Sequence, residues 1–260
     1  MHTINYKFIP DLIQPTPNYS SKGKTMRLKA LTSLPLVVLL TSCYYLQSTS
    51  IPIKTIHYTQ DAEQQNKSAR QLMVLLPGIG DRADAFDKHG VIEIIRNIHP
   101  HMDVIAVDAH FKYYEARTII DRLRQDIIKP ALDAGYSKIY LGGTSLGGLG
   151  SLLYIKQYPD DIEKIFILAP YLGDKQDYGY LLENAAAPQV PRDVNLWPWL
   201  TQLPDETKNK IYLAYGTNDK FAIPNSLLAK QIAPDHTVTQ AGKHNWKTWA
   251  QLWPSLLAKQ

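Results

Sequence analysis

The stretch Leu141-Gly142-Gly143-Thr144-Ser145-Leu146-Gly147-Gly148-Leu149-Gly150 constrains this chain more than any other part of it. It sets G-x-S-x-G (Gly143, Ser145, Gly147) between two apolar runs: Lys138 to Leu141 reads as a strand, and Leu146 to Gln157 as a helix stopped by Pro159. A serine on so tight a strand-to-helix turn stands at the carboxyl edge of a sheet. Glycine two residues to either side leaves room where the turn meets its neighbours. The helix amino terminus directs its partial positive charge at the serine, which favours a developing oxyanion. A phosphate-binding loop would want Gly-Lys-Ser/Thr, and no Lys is present here. The context predicts a nucleophile elbow, with Ser145 as the attacking group and the Leu146 amide as one oxyanion donor.

Around this motif the chain alternates strand-like and helix-like runs, the pattern of a mostly parallel sheet flanked by helices. Ile53 to Tyr58 reads as an edge strand, and Gln71 to Leu76, closed by Pro77-Gly78, as a strand buried on both faces. Val104 to Val107, Ile165 to Leu168, Ile211 to Ala214 and His236 to Thr239 are further strands. Phe86 to Ile98 and Tyr114 to Leu132 carry apolar residues at helical spacing, Leu227 to Gln231 is a short helix, and Asn245 to Leu257 closes the chain. Between Pro170 and Lys210 no period is clear, and Pro188, Pro191, Pro198 and Pro204 fall there. A stretch of that length is expected to be a lid or binding segment.

An elbow serine needs a base, and the base needs a partner. In this arrangement the acid and then the histidine follow the serine, each on a loop after a later strand. Gly216-Thr-Asn-Asp219 ends one strand and Gly242-Lys-His244 follows another, which makes Asp219 and His244 the candidates. His244 would take the serine proton and return it to a leaving group, while Asp219 fixes the imidazole tautomer. Asp174, after the preceding strand, is the runner-up acid, and Asp193 and Asp205 lie in the aperiodic stretch. The second oxyanion donor is expected from Pro77-Gly78-Ile79-Gly80-Asp81, with Gly78 allowing close backbone approach and the Ile79 amide donating. A plain connecting turn is the alternative for that loop. Gly78, Tyr171, Leu172 and Trp246 are the expected substrate-lining positions. Packing of the lid on the sheet is the alternative for the aromatics, including Trp197, Trp199 and Trp249. The other seven His are expected to be surface or structural, with no metal site among them.

With elbow, acid and histidine in order, the body resembles the α/β-hydrolase superfamily from about residue 53 to 258. Gly-Thr-Ser-Leu-Gly-Gly-Leu-Gly and the His-Asn-Trp ending are similar to a bacterial esterase branch related in pattern to esterase D and the antigen-85 proteins. The resemblance implies an α/β-hydrolase fold with a short lid-like insertion around 170–210 and no cofactor. It also implies hydrolysis of a carboxylic ester or thioester through an acyl enzyme on Ser145. An acyltransferase on the same triad, or a binding protein that has kept only the fold, are the alternatives.

The charge of the chain is confined to its start. Residues 1–42 hold five Lys or Arg (Lys7, Lys22, Lys24, Arg27, Lys29) against Asp11, which accounts for the whole formal +4 and leaves no nucleic-acid footprint. Met26-Arg-Leu-Lys29 precedes an apolar run, Ala30 to Leu40, that as a helix would rise only about 16 Å, roughly half the hydrocarbon thickness. Leu40-Thr-Ser-Cys43, ending in the chain's one Cys, resembles the lipobox of bacterial lipoproteins. The expected organisation is therefore an extension over 1–25, assigned through an upstream start codon, a lipoprotein signal over 26–42, and one domain over 43–260. Lipidation at Cys43 would anchor an exported protein to a bacterial membrane. Tyr44 in place of a retention Asp favours the outer membrane. A small-molecule ester is the expected partner, and nothing in the sequence points to a protein partner.

Overall fold

Runs that are apolar at every position, rather than at alternate ones, suit strands covered on both faces. The computed structural model describes residues 48–59, 70–183, 185–186 and 195–259, and it builds its sheet from such runs. β2 (Gln71–Leu76), β3 (Met102–Val107), β4 (Lys138–Thr144), β5 (Lys164–Leu168) and β6 (Ile211–Gly216) are buried almost throughout. The less buried β1 (Thr55–Tyr58) and β7 (Thr237–Gln240) form the edges. The order is β1-β3-β2-β4-β5-β6-β7, with β1 antiparallel to β3 and every other pair parallel. The carboxyl ends of β2 to β7 therefore open on one edge, where their loops meet.

Each parallel pair needs a crossover, and helices supply it. Where one helix is expected over Phe86 to Ile98, there are two, α1 (Ala85–Lys88) and α2 (Val91–Ile98), because Gly90 takes φ 74° between them. The long helix expected over Tyr114 to Leu132 is likewise divided. α3 (Phe111–Glu115) ends before Arg117, whose φ is 58°. α4 then runs over Ile119–Leu123, widens to a π turn over Arg124–Ile128 and returns to α-helix over Lys129–Asp133. Pro130 explains the widening: it has no N–H to give, and its ring crowds the carbonyl four residues back. Asp126 in the π turn accepts the Ile53 N–H at 2.8 Å, fixing the approach to β1.

The remaining helices are α5 (Leu146–Gln157), α6 (Lys175–Leu182), α7 (Trp197–Leu200), α8 (Asp205–Lys210), α9 (Ala222–Ala229) and α10 (Trp246–Leu257). The described parts of the aperiodic stretch of 170–210 thus carry three short helices, α6, α7 and α8, together with non-helical turns. Helices of one or two turns are too short to develop a readable period, and packing and caps hold them instead. Asp174 and Asp177 form a capping box on α6. Trp197 is wholly buried, and its indole N–H donates to the Leu172 carbonyl at 2.8 Å. The extension over 1–25, the signal over 26–42, Cys43 and Asp193 lie outside the described residues. Among those described, no helix is long and apolar enough to cross a membrane.

α10 reaches the centre of the sheet through a missing side chain. A Cβ on Gly142 of β4 would lie 2.6 Å from Leu75 Cδ2 and 3.1 Å from the Trp253 ring, and both residues are wholly buried. Gly142→Ala is expected to destabilise the fold by about 1–2 kcal/mol through overpacking, lowering Tm by roughly 2–8 °C. An unchanged Tm in calorimetry would show that Trp253 moves aside freely.

Candidate active site

β4 passes directly into α5, and the residue between them, Ser145, has φ 51° and ψ −110°. Such a conformation costs an L-residue on the order of 1–3 kcal/mol and persists only where its surroundings impose it. Ser145 N–H donates to the Leu168 carbonyl at 2.9 Å, and the Ser145 carbonyl accepts the Tyr171 N–H at 3.0 Å. The end of β5 and the chain just after it therefore hold the serine by its N–H and by its carbonyl. The flanking glycines are required sterically. A Cβ on Gly143 would lie 2.4 Å from the Gly147 carbonyl carbon, and one on Gly147 would lie 2.0 Å from the Leu76 carbonyl oxygen.

The loops after β6 and β7 are locked together in the same way. A Cβ on Gly216 would lie 2.3 Å from the Gly242 carbonyl oxygen, which accepts the Asn218 N–H at 3.0 Å. This contact brings Asp219 to His244. His244 Nδ1 lies 2.8 and 3.0 Å from the two Asp219 carboxylate oxygens, and Nε2 lies 2.9 Å from Ser145 Oγ. A carboxylate can only accept, so Nδ1–H donates to Asp219 and Nε2 keeps its lone pair for the serine hydroxyl. Asp219, its side chain wholly buried, also accepts the Phe221 N–H at 2.8 Å. Phe221 and Trp249 stand edge-on to the imidazole at 4.8 and 4.9 Å, so two aromatic rings pack against it. Asn245 caps α10 by accepting the Thr248 N–H at 3.2 Å, fixing the backbone beside His244.

Asp174, the runner-up acid, is occupied as the cap of α6, so the histidine pairs with Asp219 instead. Leu146 is the first residue of α5, where an amide has no intrahelical acceptor. Ile79 lies in a turn closed by the Asp81 N–H donating to the Gly78 carbonyl at 3.2 Å. The glycine this turn requires is Gly80, at φ 88°, rather than Gly78, where a Cβ would meet Ser145 Cβ at an ordinary 3.5 Å. Close approach of Gly78 is therefore real, but it does not demand a glycine. Tyr171 and Leu172 are buried, and Tyr171 turns its ring edge to Phe221 at 5.4 Å. Trp246 is half-buried; its indole N–H donates to Asp81 Oδ2 at 2.8 Å, and its ring stacks on His89 at 4.3 Å.

Sequence reading missed the contact between Asp81 and Trp246, and no local signal could have found it, since the two are 165 residues apart. It missed Asn225 for the same reason. That wholly buried amide donates to the Phe221 carbonyl at 2.7 Å and the Pro170 carbonyl at 3.3 Å, joining the acid loop to the loop that grips Ser145. His236 is structural: it stacks on Tyr212 at 3.9 Å, with Nδ1 3.1 Å from the Ile211 carbonyl. Among the described residues no cluster of His, Cys, Asp or Glu is arranged to hold a metal ion.

A mostly parallel sheet with a serine on the turn after its central strand, and an acid and a histidine on later loops, defines the α/β-hydrolase fold, and this chain has it. Solved structures with the same fold include a ferulic acid esterase, at TM-score 0.55 and 11% identity over 79% of this chain and 96% of that one. S-formylglutathione hydrolase of Staphylococcus aureus matches at TM-score 0.54 and 16% identity over 79% of this chain and 94% of its own. A fluorophosphonate-binding serine hydrolase of the same organism, solved with substrate bound, gives TM-score 0.52 and 15% identity over 79% and 96%. No protein-family model matches the sequence, and no curated protein matches it either.

Burial pushes the Asp81 carboxyl above its ordinary value; the Trp246 N–H opposes the shift, and Asp84 adds to it. A carboxyl that binds its proton more tightly folded than unfolded favours the fold at low pH and loses that advantage as pH rises through its folded-state value. Asp81→Asn is expected to raise Tm near pH 7 and to leave it unchanged near pH 3, where the carboxyl is protonated in both states. A melting curve that moves equally at both pH values would contradict this assignment.

Proposed function

We propose that the chain is a serine hydrolase that cleaves a carboxylic ester or thioester through an acyl enzyme on Ser145. The observation that carries this reading is the continuous contact from Ser145 Oγ through His244 to Asp219, at 2.9 and 2.8 Å. In this reading Ser145 Oγ attacks the acyl carbonyl as its proton passes to His244 Nε2. The imidazolium that forms is stabilised by the buried Asp219 carboxylate. The Leu146 and Ile79 amides receive the oxyanion, donors of a kind worth roughly 3–4 kcal/mol each in other hydrolases. Nε2–H then protonates the departing alcohol or thiol, and water, deprotonated by the same nitrogen, releases the acid.

The fold neighbours named for ferulic acid and S-formylglutathione guide the choice of substrates: aryl-acyl esters and small acyl thioesters belong in the first panel. A fluorophosphonate probe is expected to label the protein at Ser145 and to fail on Ser145→Ala. A folded wild type that stays unlabelled and turns over no ester would overturn the reading. Asp219→Asn is expected to lower kcat by about 10⁴, since the imidazole then adopts the wrong tautomer.

For location we propose an exported lipoprotein anchored through Cys43, on the strength of the basic, apolar and Leu-Thr-Ser-Cys sequence alone. Cys43→Ser is expected to move the protein from the membrane to the soluble fraction. Unchanged partition on fractionation would remove the anchor from the account.

A further inference from the structure

The loop carrying the Ile79 amide is braced on both sides by its own next residues. Asp81 closes the Gly78–Asp81 turn through its backbone, and its carboxylate accepts the Trp246 indole N–H at 2.8 Å. Arg82, one residue on, donates to both oxygens of Asp108, a buried residue on the loop after β3. One brace thus runs to the helix that begins two residues after His244, and the other to the loop after β3. Trp246 is itself wedged edge-on by Phe86 at 5.7 Å and by Trp249 at 5.3 Å. Trp249 in turn meets the His244 ring at 4.9 Å. The Asp81–Trp246 bond therefore joins the loop that would hold the oxyanion to the packing that holds the imidazole.

Resting on the reading of the site as an acyl-enzyme centre, we propose that Asp81 and Trp246 are positioning residues. Their hydrogen bond fixes the Ile79 amide in register with Ser145 and His244. The requirement is geometric. An oxyanion donor must stand within hydrogen-bond distance of where the charge develops, and a loop turning on Gly80 at φ 88° has no regular secondary structure to keep it there. The contact also spends the one polar group of Trp246 on Asp81. This half-buried ring presents no N–H to substrate, and its contribution is made through the loop.

The test compares Trp246→Phe, which keeps the ring and deletes the N–H, with Asp81→Leu, which deletes the acceptor, and Asp81→Asn, which keeps a carbonyl oxygen to accept. Trp246→Phe and Asp81→Leu are each expected to lower kcat roughly tenfold to a hundredfold with KM little changed. That is short of the 10²–10³ lost when an oxyanion donor is removed outright. Each is expected to weaken binding of a trifluoromethyl ketone, whose serine adduct carries the same oxyanion, by a matching factor. The double variant should be no worse than either single one, and Asp81→Asn should keep most of the wild-type kcat. The melting temperature of each variant reports folding independently of turnover. Wild-type kcat in Trp246→Phe, a loss confined to KM, or a kcat loss without weaker ketone binding would each overturn the proposal. So would Asp81→Asn failing as badly as Asp81→Leu. A wild type that neither labels nor turns over would instead overturn the acyl-enzyme reading, and this inference with it.

Discussion

The close approach of the β4–α5 turn to the end of β2 is the contact on which the rest of the site depends. Gly147 lies so near the Leu76 carbonyl that no Cβ fits between them, and Gly143 packs as tightly on Gly147 itself. With those two side chains absent, the chain can turn in one residue from strand to helix and leave Ser145 in a backbone conformation few residues tolerate. The cost of that conformation is met by neighbours: the end of β5 holds Ser145 by its N–H, and the loop after β5 by its carbonyl. The backbone that carries the hydroxyl is thereby held in place from its N–H and from its carbonyl.

The other groups come to Ser145 because parallel strands point one way. Every loop after β2, β4, β5, β6 and β7 leaves the same edge, so residues far apart in the chain become neighbours without any long excursion. Close backbone contact repeats at each junction. Gly216 meets Gly242, and that single approach sets the distance between Asp219 and His244. Side-chain bonds complete the assembly where backbone contact ends. Asn225 joins the loops after β5 and β6, Trp246 joins the helix after β7 to the loop after β2, and Arg82 joins that loop to the one after β3.

Much of this was legible beforehand, for reasons that can be named. Strands buried on both faces are apolar at every position, so Gln71–Leu76 and the core of each central strand could be read directly. The elbow is set by local sterics, so its glycines appear in the sequence at fixed spacing. Asp219 and His244 follow turn glycines at strand ends, which is a local property as well. Helix breaks were harder. Gly90 and Arg117 interrupt apolar patterns that continue past them, and positive φ at Arg117 is a choice the surrounding structure makes rather than the residue. The helices between 170 and 210 leave no readable period because they are brief and draw their stability from caps and from Trp197 donating to the Leu172 carbonyl.

The alternation of strand and helix, the strained turn at Ser145, and the order of serine, acid and histidine could all be read along the chain. Each of these is written in neighbours along the chain, where propensity, glycine sterics and periodicity act. That Asp174 caps a helix while Asp219 faces the histidine, and that Gly80 rather than Gly78 is the obligatory glycine of its loop, emerged only once the sheet edge had brought distant loops together. The bond between Asp81 and Trp246 emerged in the same way. Those outcomes depend on which groups a folded sheet edge brings within 3 Å of one another, and a hydrogen bond across 165 residues leaves no trace in either residue's local sequence.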